Sequence, residues 1–168
     1  SRLSHIAETN DEQIEIIEDL KGAVRIRAIV RNPVDWNIRY LSAVSRAAQK
    51  REVHVEVLFP NPDGPFLEAL AHSQGLTSDE LEKNINNAVT TIQTRWTQLK
   101  LASAESTISV RTVDLPLYDV MAADDACSLE IQSACDHQPG KNGLALKFEG
   151  GAHPAAWILS QFEEAKTG

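Results

Sequence analysis

VRIRAIV at residues 24–30, NIRYLSAVSRAAQKR at residues 37–51 and VHVEVLF at residues 53–59 decide the fold. In the first segment Val24, Ile26, Ala28 and Val30 fall on one side of an extended chain, with Arg25 and Arg27 on the other, because side chains alternate across a strand. In the third, Val53, Val55, Val57 and Phe59 share a side, opposite His54, Glu56 and Leu58. Between them Ile38, Leu41, Val44, Ser45 and Ala48 recur at helical spacing, a stripe narrow enough to pack on a sheet. Strand, helix and strand of these lengths make a parallel βαβ unit, right-handed by the chirality of such crossovers. The unit closes on Pro60-Asn61-Pro62-Asp63-Gly64-Pro65, a run of turn formers.

Upstream, Thr9-Asn10-Asp11-Glu12 reads as a capping box opening a short acidic helix that carries Ile14, Ile17 and Leu20 and stops at Gly22. Downstream, residues 66–72 are helical in pattern. Thr77-Ser78-Asp79-Glu80 is a second capping box, opening the longest helix, to about Leu101, with Leu81, Ile85, Ala88, Val89, Ile92, Trp96 and Leu99 along one stripe. The last third turns to strands. TISVRTV at residues 107–113 alternates, residues 117–122 and 126–133 flank a bend at Ala123-Asp124-Asp125, and GLALKFE follows at residues 143–149. A final helix near residues 154–166 starts at Pro154 and is expected to bury Trp157, Ile158, Phe162 and Ala165. The order α-β-α-β-α-α-β-β-β-β-α predicts an α/β fold, an α/β/α sandwich around a mixed sheet.

A chain of 168 residues is expected to form one domain, 1–168, with residues 1–22 as an N-terminal helix and junction to an upstream domain. The net charge of -8 argues against a general nucleic-acid binder, since duplex binding needs a basic face. No apolar run approaches the roughly 20 residues of a membrane span, and no signal peptide is visible. Cys127 and Cys135 make no disulfide framework, which points to a reducing cytoplasm. The start at Ser1 reads as an excised domain.

The order of elements, with a helix ending Ala47-Ala48-Gln49-Lys50-Arg51 before VHVEVLFPNPDG, resembles one half of the phospholipase D-like superfamily. There a hairpin carries a His-x-Lys-x4-Asp motif, followed by Gly-Ser-x-Asn. Laying the motif's aspartate on Asp125 puts Tyr118 at the histidine and Val120 at the lysine. The second motif falls on Gln132-Ser133-Ala134-Cys135, where only Ser133 matches. The family's histidine attacks phosphorus and its lysine neutralises phosphoryl charge. Tyr118 is a poor nucleophile at neutral pH and Val120 neutralises nothing. The resemblance therefore implies a non-catalytic domain of a larger bacterial regulatory or signalling protein, acting as a ligand-sensing or protein-interaction and dimerisation module. Its implied partners are a second copy, neighbouring domains and a small phosphorylated or anionic ligand. The alternatives are a small hydrolase using Asp63, Asp124 or Asp125 as acids, and a purely structural oligomerisation module.

Open α/β sheets bind ligands outside the carboxyl ends of their parallel strands. Here those ends hold Arg31, Asn32 and Asp35 after the first strand and Asn61 and Asp63 after the second, near Tyr118, Asp125 and Ser133. Arg31 suits bidentate capture of an anion. Asn32, Asp35, Asn61 and Asp63 are equally suited to turns and caps, as are Asp124 and Asp125 to a hairpin bend. Arg111 is expected to pair with an acid on the surface. No cofactor motif is present, and Cys127, Cys135, His137 and His153 match no ordinary zinc spacing, so no metal is expected. Trp96 and Trp157 read as core, and Trp36 as a pocket wall or interface.

Overall fold

The computed structural model describes residues 2–8, 16–114, 116, 118–131 and 144–149, and in the C-terminal segment residues 156, 157, 160 and 162. Seven strands form one sheet: β1 (Arg2–Glu8), β2 (Arg25–Ile29), β3 (His54–Pro60), β4 (Thr107–Val113), β5 (Asp119–Ala123), β6 (Ala126–Ile131) and β7 (Leu144–Glu149). Their order across the sheet is β1-β7-β6-β5-β2-β3-β4. β2, β3 and β4 are parallel, and every other pairing is antiparallel.

Four helices lie among the described residues ahead of β4: α1 at residues 16–20, α2 (Pro33–Lys50), α3 (Leu67–Ser73) and α4 (Ser78–Gln98). Pro33 sits in the first turn of α2, where its missing N–H costs nothing, and the Asn32 side chain caps the helix by accepting from Asp35 N. The second capping box forms as expected, Thr77 and Glu80 exchanging bonds, which holds Glu80 below the usual carboxylate range. The first, at residues 9–12, lies outside the described residues.

The βαβ reading is realised as β2–α2–β3. One sheet face carries Ile26, Ala28, Val55, Val57, Met121 and Ala123 under apolar side chains of all four helices. The other carries Ile29, Leu58, Val120, Ala122 and Cys127 against Phe162 from the C-terminal segment. The architecture is thus a mixed sheet between helical layers.

Four expectations are corrected. Residues 2–8 form a strand, antiparallel to β7, which sequence reading did not find. Ile38 is 76% exposed, because α2 buries the arc through Trp36, Tyr40, Val44 and Ala47 and turns Ile38 outward. Trp157 is half-exposed, whereas Phe162 is fully buried; Ile158 and Ala165 lie outside the described residues. Arg27, on a side of β2 expected to be exposed or partly covered, is buried, because Phe162 lies beneath its guanidinium, 5.7 Å to the ring centroid.

Candidate functional site

The carboxyl end of β2 and the start of α2 meet the β5–β6 hairpin, and this junction holds the densest charge in the described core. Asp119 opens β5 and is the cross-strand neighbour of Glu130 on β6. Both point to the face covered by α2. Arg39, two turns into α2, donates to both oxygens of Glu130, at 2.8 and 3.1 Å, and to Asp35 at 3.3 Å. Tyr40 Oη donates to Glu130 at 3.2 Å. Asp119 accepts from the backbone N–H of Arg31 at 2.7 Å.

The electrostatics follow from this enclosure. Burial, with Glu130 and Asp35 nearby, pushes the Asp119 carboxyl up to about 7 against the opposing pull of the Arg31 N–H. Burial also raises the Tyr40 hydroxyl, helped by the Glu130 charge. Desolvation pulls Arg39 down, but its bonds to Glu130 and the neighbouring acids more than compensate, and it stays a cation.

Asn32, Asp35, Trp36, Arg39, Asp119 and Glu130 surround a cavity of about 20 Å³, room for about one water molecule. Trp36 is buried, its ring 6.3 Å from Phe59, and its Nε1 has no partner. Of the residues singled out from sequence, Asn32, Asp35 and Trp36, read as a pocket wall or interface, line this cavity. Arg31 lies beside it but turns its guanidinium to Ser73 Oγ at 3.1 Å. Asn61 and Asp63 belong to a separate turn, where Asn61 Oδ1 accepts from Asp63 N at 3.0 Å and Asn61 Nδ2 donates to Asp114 at 2.9 Å.

Tyr118 is half-buried on the opposite face, packed against the second core cluster with Val120, and burial raises its hydroxyl. Asp125 is exposed in a hairpin turn at the amino end of β2, not near Arg31 and Asn32 as expected, because β5 runs antiparallel to β2; Asp124, at φ 54°, takes Val24 N and Arg25 N on Oδ1 at 3.0 and 2.9 Å. Ser133 lies outside the described residues, as do Cys135, His137 and His153. Cys127 is buried and its thiol is pushed up to about 12, which makes it inert. Among the described residues no three His, Cys, Asp or Glu side chains are grouped to hold a metal ion. Arg111 pairs with Glu56 at 3.4 Å, as expected.

Sequence reasoning missed Arg39, Tyr40, Asp119 and Glu130. The available signal was the presence of two acids, Asp119 and Glu130, on the inward side of an otherwise apolar hairpin.

Comparison with protein-family models and with curated proteins finds no match. Solved structures do match. TrmBL2, an archaeal chromatin protein with a novel mode of DNA binding, is 12% identical at a TM-score of 0.56, over 97% of this chain and 51% of its own. Nuc, a phospholipase D family member from Salmonella typhimurium, is 12% identical at a TM-score of 0.57, over 97% of this chain and 93% of its own. At such identity the likeness is one of fold, and the fold is phospholipase D-like. The chain spans about half the length of the chromatin protein.

The exclusion of nucleic acid drawn from net charge is withdrawn. A DNA-binding chromatin protein is built on this fold, and net charge is a sum over the whole chain whereas binding is decided by one face. No helix among the described residues is long and apolar enough to cross a membrane.

Proposed function

We propose that this domain is a non-catalytic phospholipase D-like module that serves a larger regulatory protein by docking a partner or a second copy of itself. One observation carries the reading: the residues at the motif's nucleophile and lysine positions, Tyr118 and Val120, are packed into a hydrophobic cluster with Ile29, Leu58 and Phe162. Moving the alignment one residue, to Asp124, sets Asp119 in the lysine position and supplies neither a cation nor a nucleophile. His-x-Lys occurs nowhere in the chain. The charged side chains of the junction beside β2 pair with one another, and its cavity of about 20 Å³ has no room for a phosphodiester. Half of a DNA-binding chromatin protein shares the fold, which fits a regulatory module working beside other domains.

The test pairs two measurements on the purified protein. Bis-p-nitrophenyl phosphate is expected to survive at the background rate, and sedimentation at rising concentration is expected to show association. Hydrolysis that disappears in Tyr118→Phe or Ser133→Ala would overturn the reading.

A second reading, sensing of a small anion, is favoured by one observation: Arg31 Nε is buried and has no hydrogen-bond partner. An anion at a hundred times its Kd adds about 2.7 kcal/mol. A thermal shift with phosphorylated metabolites that is lost in Arg31→Ala supports sensing, and a flat response removes it.

A further inference from the structure

The outer surface of α2 and α4 has an unusual composition for an acidic protein. The two helices enclose a groove of about 530 Å³, floored by Ile38 and Leu41 and walled by Thr91, Thr94, Arg95 and Gln98. The groove is held in shape, since Asn37 Nδ2 of α2 donates to Ala88 O of α4 at 3.1 Å. Its lining contains no carboxylate, although the chain has 24 acidic residues against 16 lysines and arginines. Ile38 is 76% exposed, and Val34, one turn earlier in the same row, is 39% exposed.

Cations continue that row. Arg46 follows Ser42 by one turn of α2 and Lys50 by two, and both are exposed. Arg95 faces them from α4, and exposed Lys100 lies just before Ala102, whose N–H bonds Ala48 O at 2.9 Å and so ties the segment to the end of α2. Among the described residues Arg46, Lys50, Arg95 and Lys100 make no ion pair with one another or with any acid. The surface thus has an apolar end and a basic end along one helical groove.

From this pattern we infer that the α2–α4 groove docks an acidic amphipathic helix of a protein partner. Apolar side chains at i and i+4 of that helix would cover Ile38 and Val34, and its Asp or Glu residues would meet Arg95, Arg46, Lys50 and Lys100. Nucleic-acid phosphates would satisfy the same cations but gain nothing by covering an isoleucine and a valine, which favours the protein partner. The inference rests on the domain being an interaction module and names the chemistry of one partner surface.

The probe is a fluorescein-labelled 21-residue helical peptide with Leu at i, i+3/i+4 spacing and Glu elsewhere (roughly six turns at 3.6 residues each). It is compared with its Lys-for-Glu counterpart and with duplex DNA. The acidic peptide is expected to bind in a salt-dependent manner, to shift backbone amide resonances of α2 and α4, and to bind about tenfold more weakly to Ile38→Ala and to Arg95→Glu. Both residues are exposed, so an unchanged Tm shows that the variants fold. Affinity insensitive to both substitutions, equal binding of the basic peptide, absence of any binding, or DNA displacing the peptide from the same amides each overturns the inference. Self-association in sedimentation, with no hydrolysis, would leave the interaction-module reading standing in any of those cases.

Discussion

Glu130 on β6 receives both terminal nitrogens of Arg39 on α2, across 91 positions of sequence, with side chains only 9% and 14% exposed. The pair joins the helix of the βαβ unit to the hairpin that follows it, and Tyr40 donates a third bond to the same carboxylate. Strength in such a pair is conditional: desolvating two charges costs much of what their attraction returns.

Removing one member leaves the other buried and uncompensated. Glu130→Ala is expected to destabilise the fold by about 3 kcal/mol, the lower end for broken buried pairs because Arg39 keeps Asp35. Replacing both, Arg39→Met with Glu130→Leu, is expected to recover most of the loss. Urea unfolding of the three variants measures it, and a double variant as weak as Glu130→Ala would refute the pair's isolation.

Asp119 gives the fold a pH dependence of unusual sign for an acid. Its proton is held up to about 7 in the folded state against about 3.9 in the unfolded chain. Its stabilising contribution is therefore full below about pH 4 and is lost as pH rises through about 7, by up to about 4 kcal/mol. Asp119→Asn keeps the acceptor for Arg31 N–H and is expected to flatten this window. Stability curves of the two proteins from pH 4 to 8 that run parallel would contradict the assignment.

The turn carboxylate at Asp124 accepts from two backbone N–H groups at the amino end of β2, and its own N–H donates to Arg25 O at 2.8 Å. Asp124→Ala removes both side-chain bonds and puts a poorly tolerated residue at positive φ, so a loss of about 2 kcal/mol is expected. Asp124→Asn retains a carbonyl acceptor and tolerates that φ, and should lose less than half as much. Thermal unfolding compares them.

Phe162 is wholly buried between Arg27 and the second core cluster, whereas Trp157 is half-exposed five residues earlier. Phe162→Ala should cost about 3 kcal/mol and Trp157→Ala within about 0.5. Equal losses would mean that the C-terminal segment packs otherwise.

The elements legible in sequence were those with a clean apolar period. β2, β3 and α4 alternate or recur cleanly, and the structure keeps them. Strand β1 was not legible because RLSHIAE carries no strong alternation; its extended form is supplied by the open edge of β7, a tertiary effect. Ile38 was assigned to the core because it recurs at helical spacing with Leu41, Val44 and Ala48, and only packing selects which arc of α2 is buried. The turn chemistry of Asn32, Asn61 and Asp124 was readable, since short polar side chains bond adjacent backbone wherever they stand. The Arg39–Glu130 junction was not, because its members are brought together only by the strand order β6-β5-β2.

The pairing of Leu3 with Phe148 joins the first described strand to the last. Folding cannot complete this edge of the sheet until β7 has left the ribosome. The β2–α2–β3 unit, by contrast, closes over a few dozen residues and can form early. During synthesis β1 is therefore an unpaired strand waiting for its neighbour, the segment most open to a chaperone or a wrong strand. Substitutions there should change how fast the protein unfolds far more than how fast it folds.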